Sequence, residues 1–165
     1  MCVGFGPLSQ LDNLEHSFHL ATRALATAEA FGMTGAHDMT SLGVLPAVVA
    51  DREVGEELVR RFVVPLSTLP EDLADSLAAT VDRYLAHGRR IDPAARELLI
   101  HPNTLRYRIK RYQELVGCDL HEPRCAIEVW WALQRVRLET LPGTPRQAPH
   151  MAPVPSAQGD GPRQH

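Results

Sequence analysis

The sequence predicts a mainly α-helical protein, a helical bundle that contains a helix-turn-helix and is preceded by a partial α/β segment. Aromatic residues make up only 5% of the 165 residues, and runs of β-branched residues are short, a balance that favours helices over strands. Hydrophobic residues make up 44%, enough for one or two small cores. No apolar run reaches the roughly 18 residues of a membrane span, and the N-terminus lacks a signal-peptide pattern. We therefore expect a cytoplasmic protein without a membrane partner.

The first 65 residues predict an incomplete domain. Residues 1–7 hold two apolar residues between glycines, which indicates the end of a strand. Apolar residues recur at helical spacing over residues 11–31, and a second helix is predicted over 53–64, ending before Pro65. An α/β unit needs several strands to cover its helices. We therefore interpret residues 1–65 as the end of a domain whose beginning is missing.

Residues 66–141 predict a helical domain with clear helix boundaries. Thr68, followed by glutamate three residues later, fits a capping box. Asp92 precedes a proline and fits an N-cap, Pro102 fits the first position of the next helix, and Gly117 fits its end. The predicted helices span residues 69–87, about two turns from residue 93, 102–116 and 122–139.

The last segment, residues 142–165, is rich in proline, glycine, glutamine and serine and poor in large apolar residues. Such a composition does not offset the entropy cost of ordering the chain. We therefore expect three parts: a partial domain over 1–65, a helical domain over 66–141 and a disordered tail over 142–165.

The net charge of −3 hides an uneven distribution. Residues 1–60 hold eight acidic and three basic residues, a net charge of −5, whereas residues 81–117 hold eight basic and four acidic residues, a net charge of +4. The positive charge is therefore gathered around the predicted pair of helices, as expected for contact with phosphates.

The helix predicted over 102–116 divides into an apolar face and a polar face. Leu105, Ile109 and Tyr112 fall on one side, and the opposite side carries amide, hydroxyl and basic groups. Arginine contacts guanine in a bidentate manner, asparagine suits adenine, and N-terminal residues of such a helix usually reach the bases. The candidate DNA-binding residues are His101, Asn103, Thr104, Arg106, Tyr107, Arg108, Lys110 and Arg111.

The residue pattern alone leaves two functions open. A basic amphipathic helix is more often a solvated face than a DNA-binding surface. Three further features favour DNA binding: the short preceding helix, the tight turn and the clustered charge. With them, DNA binding and a solvated face are equally well supported. The alternative is a protein-interaction module in which acidic N-terminal helices dock a partner and the basic helix serves solubility.

A longer motif favours DNA binding by resemblance. The stretch Ala95-Arg-Glu-Leu-Leu-Ile-His-Pro-Asn-Thr-Leu-Arg-Tyr-Arg-Ile109, followed by Gly117-Cys-Asp-Leu120, resembles the C-terminal helix-turn-helix of PucR/CdaR-type regulators. The resemblance covers about residues 66–138. It implies a bacterial transcription factor that binds double-stranded promoter DNA as a homodimer or higher oligomer.

The front of the chain is similar, more weakly, to the end of the central domain of that family, a degenerate relative of the GGDEF-type cyclase domains. The family places its effector-sensing domain further N-terminal. We therefore expect a fragment or a truncated form that lacks the sensor.

Other chemistry is not expected. Cys118, His121 and Cys125 offer three metal ligands, whereas structural zinc takes four, so we expect no metal, no cofactor and free thiols. The segment shows no Gly-Gly-Asp/Glu-Glu-Phe signature and no metal-binding carboxylate pair, so we expect no enzyme.

His101 is interpreted as a helix cap or phosphate contact rather than a proton-transfer group. Trp130 and its neighbour at 131 are interpreted as core residues.

Overall fold

Helices dominate the computed structural model, which describes residues 1–141. The predicted disordered tail, 142–165, lies outside the described residues. Two strands and eight α-helices follow one another in the described part: β1 Cys2–Gly4, α1 Leu14–Ala30, β2 Gly35–His37, α2 Met39–Leu42, α3 Leu45–Ala50, α4 Arg52–Phe62, α5 Glu71–Ala86, α6 Ile91–Glu97, α7 Pro102–Val116 and α8 Pro123–Thr140. The predicted fold class, a mainly α protein with a small α/β segment in front, is confirmed. No helix among these residues is long and apolar enough to cross a membrane.

The front segment holds two parallel strands, one more than the sequence indicates. β1 pairs with β2 in the register that sets Val3 opposite Ala36. β1 also lies against α1, and a Cβ at Gly4 would come within 2.2 Å of the carbonyl oxygen of Ala21. Only glycine allows this close approach of strand and helix. β2 escapes prediction because its sequence, Gly-Ala-His, contains no residue type that favours strands.

The main core lies between α4 and the helices from α5 to α8. Its buried members are Phe62, Leu66, Leu77, Val81, Tyr84, Ala94, Ala95, Leu105, Ile109, Tyr112, Leu120, Val129, Ala132 and Leu133. α4 packs along α8, and α5 packs on both α6 and α7. Phe62 precedes the predicted domain boundary at residue 65 and yet belongs to this core, while the boundary itself stays a prediction.

A smaller core joins the front segment to the end of α8. Phe31 and Val48 pack there with Leu138, and Trp130 and Trp131 are partly buried against them. The tryptophans therefore contribute to packing, as their apolar surroundings in the sequence predict.

Two predicted helix starts are wrong. Thr68 does not cap α5, because its hydroxyl donates to the carbonyl oxygen of Pro65, 2.8 Å away, in a 3₁₀ turn that spans Val64–Thr68. α5 instead begins at Glu71 behind Pro70, without a side-chain cap. Asp92 is not an N-cap either, because α6 begins one residue earlier, at Ile91. At Thr68, the 3₁₀ turn that contains Pro65 competes with the cap that the residue types suggest.

The expectation of free thiols is wrong for two of the three cysteines. Cys118 and Cys125 form a disulfide whose Cα atoms lie 6.2 Å apart, within the usual range for such bonds. Only Cys2 is free among the described cysteines. The bond closes the connection between α7 and α8, and the turn at Gly117 brings the two side chains together.

Candidate nucleic-acid interface

The motif at the centre of the predicted interface consists of α6, a four-residue turn and α7. In the turn, Ile100 N–H donates to the carbonyl oxygen of Ala95 across 3.0 Å. Leu99 between them has a φ of 54°, a left-handed conformation that bulky side chains rarely adopt. Its side chain is 92% exposed. This geometry ends α6 abruptly and lets α7 begin at Pro102, after a turn of four residues.

His101 opens α7 as a cap. Its backbone is extended and Pro102 follows at the first helical position. The imidazole Nδ1 accepts a hydrogen bond from the backbone N–H of Asn103, 3.2 Å away. The predicted capping role is confirmed, and a neutral imidazole in this contact carries its proton on Nε2.

One face of α7 is buried, as the helical pattern predicts. Leu105 and Tyr112 are 0% exposed and Ile109 is 7% exposed. The Tyr112 hydroxyl donates to the carbonyl oxygen of Phe62 at the end of α4, 2.9 Å away, and burial raises the pKa of this tyrosine. Gly117 then ends α7 with a left-handed φ of 66°.

The opposite face of α7 is exposed and polar. Six of the eight predicted DNA-binding residues lie on it with exposed side chains: Asn103, Thr104, Arg106, Tyr107, Lys110 and Arg111. Arg106 Nη1 donates to Asn103 Oδ1 across 2.9 Å, and Lys110 Nζ lies 3.9 Å from Glu114 Oε1. The helix therefore presents N–H, O–H and cationic groups together on one outer surface. Their contact with DNA stays a prediction.

Arg108 differs from the other basic residues of α7. It is partly buried, and its Nη1 donates across 3.4 Å to the hydroxyl oxygen of Thr80. Thr80 lies on α5 and is 0% exposed. The structure therefore directs this guanidinium towards α5, while its predicted phosphate contact stays a prediction.

Arg89 is a supporting residue that sequence reasoning missed. Its φ is 64°, and its Nη1 donates to the carbonyl oxygens of Leu120 and His121 at 3.3 and 2.8 Å. It thus ties the loop after α5 to the loop after α7. Gln113 fixes the same loop, because its Oε1 accepts from Leu120 N–H across 2.9 Å. No local sequence pattern signals a contact over this separation.

Two of the four acidic residues inside the basic segment, Asp82 and Glu97, are paired with groups of α5 or its end and not with the exposed face of α7. Glu97, at the end of α6, contacts His87 and Arg83, both from α5 or its end. Hydrogen bonds, first from His87 and then from Arg83, hold the pKa of Glu97 below its usual value. Asp82 pairs with Arg83 and accepts from the buried amide of Gln134 across 3.4 Å. α6 is thereby fastened to α5 by charge as well as by packing.

No group of three or more histidine, cysteine or acidic residues that could hold a metal ion lies among the described residues. Of the three ligands considered from sequence, Cys118 and Cys125 are joined to each other, so neither offers the thiolate that a metal takes.

Comparison with known protein families finds a domain that is similar to this motif. The profile described as the PucR C-terminal helix-turn-helix domain matches residues 77–134, which run from the core of α5 through α6 and α7 into α8. Residues 77–134 therefore resemble a PucR C-terminal helix-turn-helix domain. The matched range contains every predicted DNA-binding residue, from His101 to Arg111.

Relatives extend the likeness beyond the PucR domain. The chain is 28% identical over 123 residues to the proline-responsive transcriptional activator PutR of Bacillus subtilis, covering 70% of this chain and 30% of PutR. It is 32% identical over 85 residues to the purine catabolism regulatory protein of Bacillus subtilis, covering 50% of this chain and 16% of that protein. An uncharacterized protein of Mycobacterium tuberculosis is 46% identical over 55 residues, 33% of this chain and 13% of that protein. The chain therefore spans less than a third of the length of these three relatives.

One solved structure is also similar, a regulator of polyketide synthase expression from Bifidobacterium adolescentis. The sequence identity is 31% and the TM-score is 0.49, over 76% of this chain and 52% of that chain.

Proposed function

We propose that this protein is a sequence-specific, DNA-binding transcriptional regulator that acts in the cytoplasm and is not an enzyme. The observation that carries the proposal is the division of α7, the second helix of the PucR-type motif. Its inner face is buried in the core, and its outer face exposes donors and cations. This arrangement suits a helix that enters the major groove. The names of PutR as a transcriptional activator and of the purine catabolism regulator support the same function.

The proposed DNA contacts differ along α7, with base contacts in its first turns and phosphate contacts further on. Asn103, Thr104, Arg106 and Tyr107 lie in its first turns, where such helices reach base edges. The hydrogen bond from Arg106 to Asn103 holds both side chains in place before DNA arrives, which lowers the entropy cost of binding. Lys110 and Arg111 lie one turn further on and are assigned to phosphates.

His101 lies just before α7. Its Nδ1 is occupied by the cap, so its Nε2 proton is the group it offers to a phosphate near the helix N-terminus.

We further propose that the protein reads its site as a homodimer or higher oligomer. A single helix reads only a few base pairs, and two such helices related by symmetry read two half-sites about one helical turn apart. The proposal involves no metal and no cofactor.

The test is fluorescence anisotropy with a duplex from the region upstream of the protein's own gene and a scrambled duplex of the same composition. Arg106→Ala is expected to lose about 1–3 kcal/mol on the upstream duplex and to discriminate less between the two duplexes. Lys110→Ala is expected to weaken both alike and to reduce the slope of log affinity against log salt by about 0.9.

Arg60→Ala is the matched control. Arg60 is an exposed arginine on α4 that pairs with Glu57, so the variant removes one positive charge far from α7 in the sequence and is expected to bind as the intact protein does. Absence of binding at low salt in the intact protein, or unchanged binding in both α7 variants, refutes the proposal and leaves the protein-interaction module.

A further inference from the structure

We propose that Arg108 is a positioning residue, which fixes the orientation of α7 on α5 through the buried hydroxyl of Thr80 instead of contacting DNA. The inference rests on the proposed function, because it concerns how the DNA-reading helix is held. It assigns one of the basic residues of α7 to the interior of the protein.

The burial of Arg108 sets it apart. Arg106, Lys110 and Arg111 are exposed, whereas Arg108 is partly buried. It lies three residues after Leu105 and four before Tyr112, and both are fully buried. Residues at these spacings share one face of a helix, so Arg108 stands at the edge of the packing face.

The chemistry of Thr80 explains why a donor is needed there. The Thr80 hydroxyl donates its only proton to the carbonyl oxygen of Ser76, 2.6 Å away. Its oxygen is then available only as an acceptor. Because Thr80 is 0% exposed, water does not readily satisfy it, and a buried polar group without a partner is costly. Arg108 Nη1 supplies the donor across 3.4 Å.

The chemistry of arginine suits this position. The guanidinium stays charged at all working pH values and has only donors, so it cannot compete for the proton of Thr80. Its aliphatic stem lies along the apolar edge of the helix, while the N–H groups not used by Thr80 remain able to reach water. The side chain therefore spans from α7 to α5 without burying its whole charge.

The contact fixes the angle at which α7 presents its outer face. α7 is otherwise held on α5 by apolar side chains such as Leu105, and such contacts tolerate small rotations more readily than a directional hydrogen bond does. Loss of the Arg108 to Thr80 contact is therefore expected to weaken base contacts by Arg106 and Asn103 without removing any phosphate contact.

The experiment is a double-mutant cycle with Arg108→Met, Thr80→Val and the double variant. Affinity for the upstream duplex is measured at several salt concentrations. We expect each single variant to bind about 3- to 10-fold more weakly, the range of one hydrogen bond. The double variant is expected to bind no more weakly than the weaker single variant. The salt slope stays that of the intact protein in all three.

Arg111→Gln is the matched control, because it removes a positive charge from the exposed face of the same helix. Its salt slope is expected to fall by about 0.9. If Arg108→Met shows the same fall in slope while Thr80→Val binds as tightly as the intact protein, Arg108 is a phosphate contact and the inference is overturned.

A second readout needs no DNA. The midpoint of urea unfolding is expected to fall in both single variants and to fall no further in the double variant, whereas fully additive shifts overturn the inference. If the intact protein binds no DNA at low salt, the proposed function fails, and the unfolding cycle alone still decides whether Arg108 and Thr80 are coupled.

Discussion

Two tyrosines of α7 lie in opposite surroundings. Tyr107 is 66% exposed and Tyr112 is 0% exposed, although both have the same side chain and only five positions separate them. The hydroxyl of Tyr112 donates to the carbonyl oxygen of Phe62, a group at the end of α4 where helical carbonyls lack a partner in the next turn. One side chain thus fills the core and also satisfies the end of another helix.

Tyr112→Phe is expected to lower the free energy of unfolding by about 1–3 kcal/mol, because it leaves a buried carbonyl oxygen without its donor. Tyr107→Phe, the matched control on the same helix, is expected to change it by less than about 0.5 kcal/mol. Urea unfolding followed by circular dichroism measures both. Equal stability of the two variants would show that the Tyr112 hydroxyl contributes nothing.

At the scale of elements, the connection between α7 and α8 is held in three independent ways. Cys118 and Cys125 are bonded, Arg89 donates to two carbonyl oxygens of the loop, and Leu120 is fully buried in the main core. The end of α7 is therefore fixed to the following helix and to the loop after α5. The disulfide acts on a loop that other contacts already order.

Thiol titration under native conditions tests the disulfide. Without reductant we expect Cys2 alone to react, and after reduction all three cysteines of the chain. The variant with Cys118→Ser and Cys125→Ser is expected to lose about 2–3 kcal/mol of stability, the low end of the usual range, because the closed loop is short. Three reactive thiols in folded protein purified without reductant would contradict the bond.

At the scale of the whole molecule, the front of the chain and the helix-turn-helix share a core. α4 packs along α8, and Phe62 at the end of α4 is buried together with Tyr112 and Leu133. The matched PucR domain begins only at residue 77. The packing therefore extends the folded unit that carries α7 towards the N-terminus, beyond the part that the family profile covers.

Phe62→Ala is expected to destabilise the whole unit by about 3–5 kcal/mol, the usual cost of a large cavity. Phe18→Ala is the control, because Phe18 is 74% exposed, and its effect is expected to stay below about 1 kcal/mol. Urea unfolding followed by tryptophan fluorescence reports on α8, which carries both tryptophans of the chain. An unchanged transition in Phe62→Ala would mean that α4 folds separately from α8.

Features that depend on neighbouring residues follow from the amino-acid sequence. The proline at position 102 and the glycine at 117 set the ends of α7, and the spacing of its apolar residues separated the buried face from the exposed one. The local rules failed at Thr68, because its hydroxyl donates to the carbonyl oxygen of Pro65 and does not accept from a backbone N–H of α5. Thr68 and Glu71 have the residue types of a capping box, but Thr68 belongs to the 3₁₀ turn that precedes α5.

Contacts between groups that are distant in the sequence depend on how the helices pack. The contacts of Tyr112 with Phe62, of Arg108 with Thr80 and of Arg89 with the loop at Leu120 join residues 28 to 50 positions apart. A helical wheel places a side chain on a face of its helix, but it does not show which donor or acceptor of the neighbouring helix lies opposite. That depends on how the helices pack, because a hydrogen bond forms only within a few tenths of an ångström of its preferred distance. Cys118 and Cys125, which we expected to be free thiols, likewise form a disulfide in the folded structure.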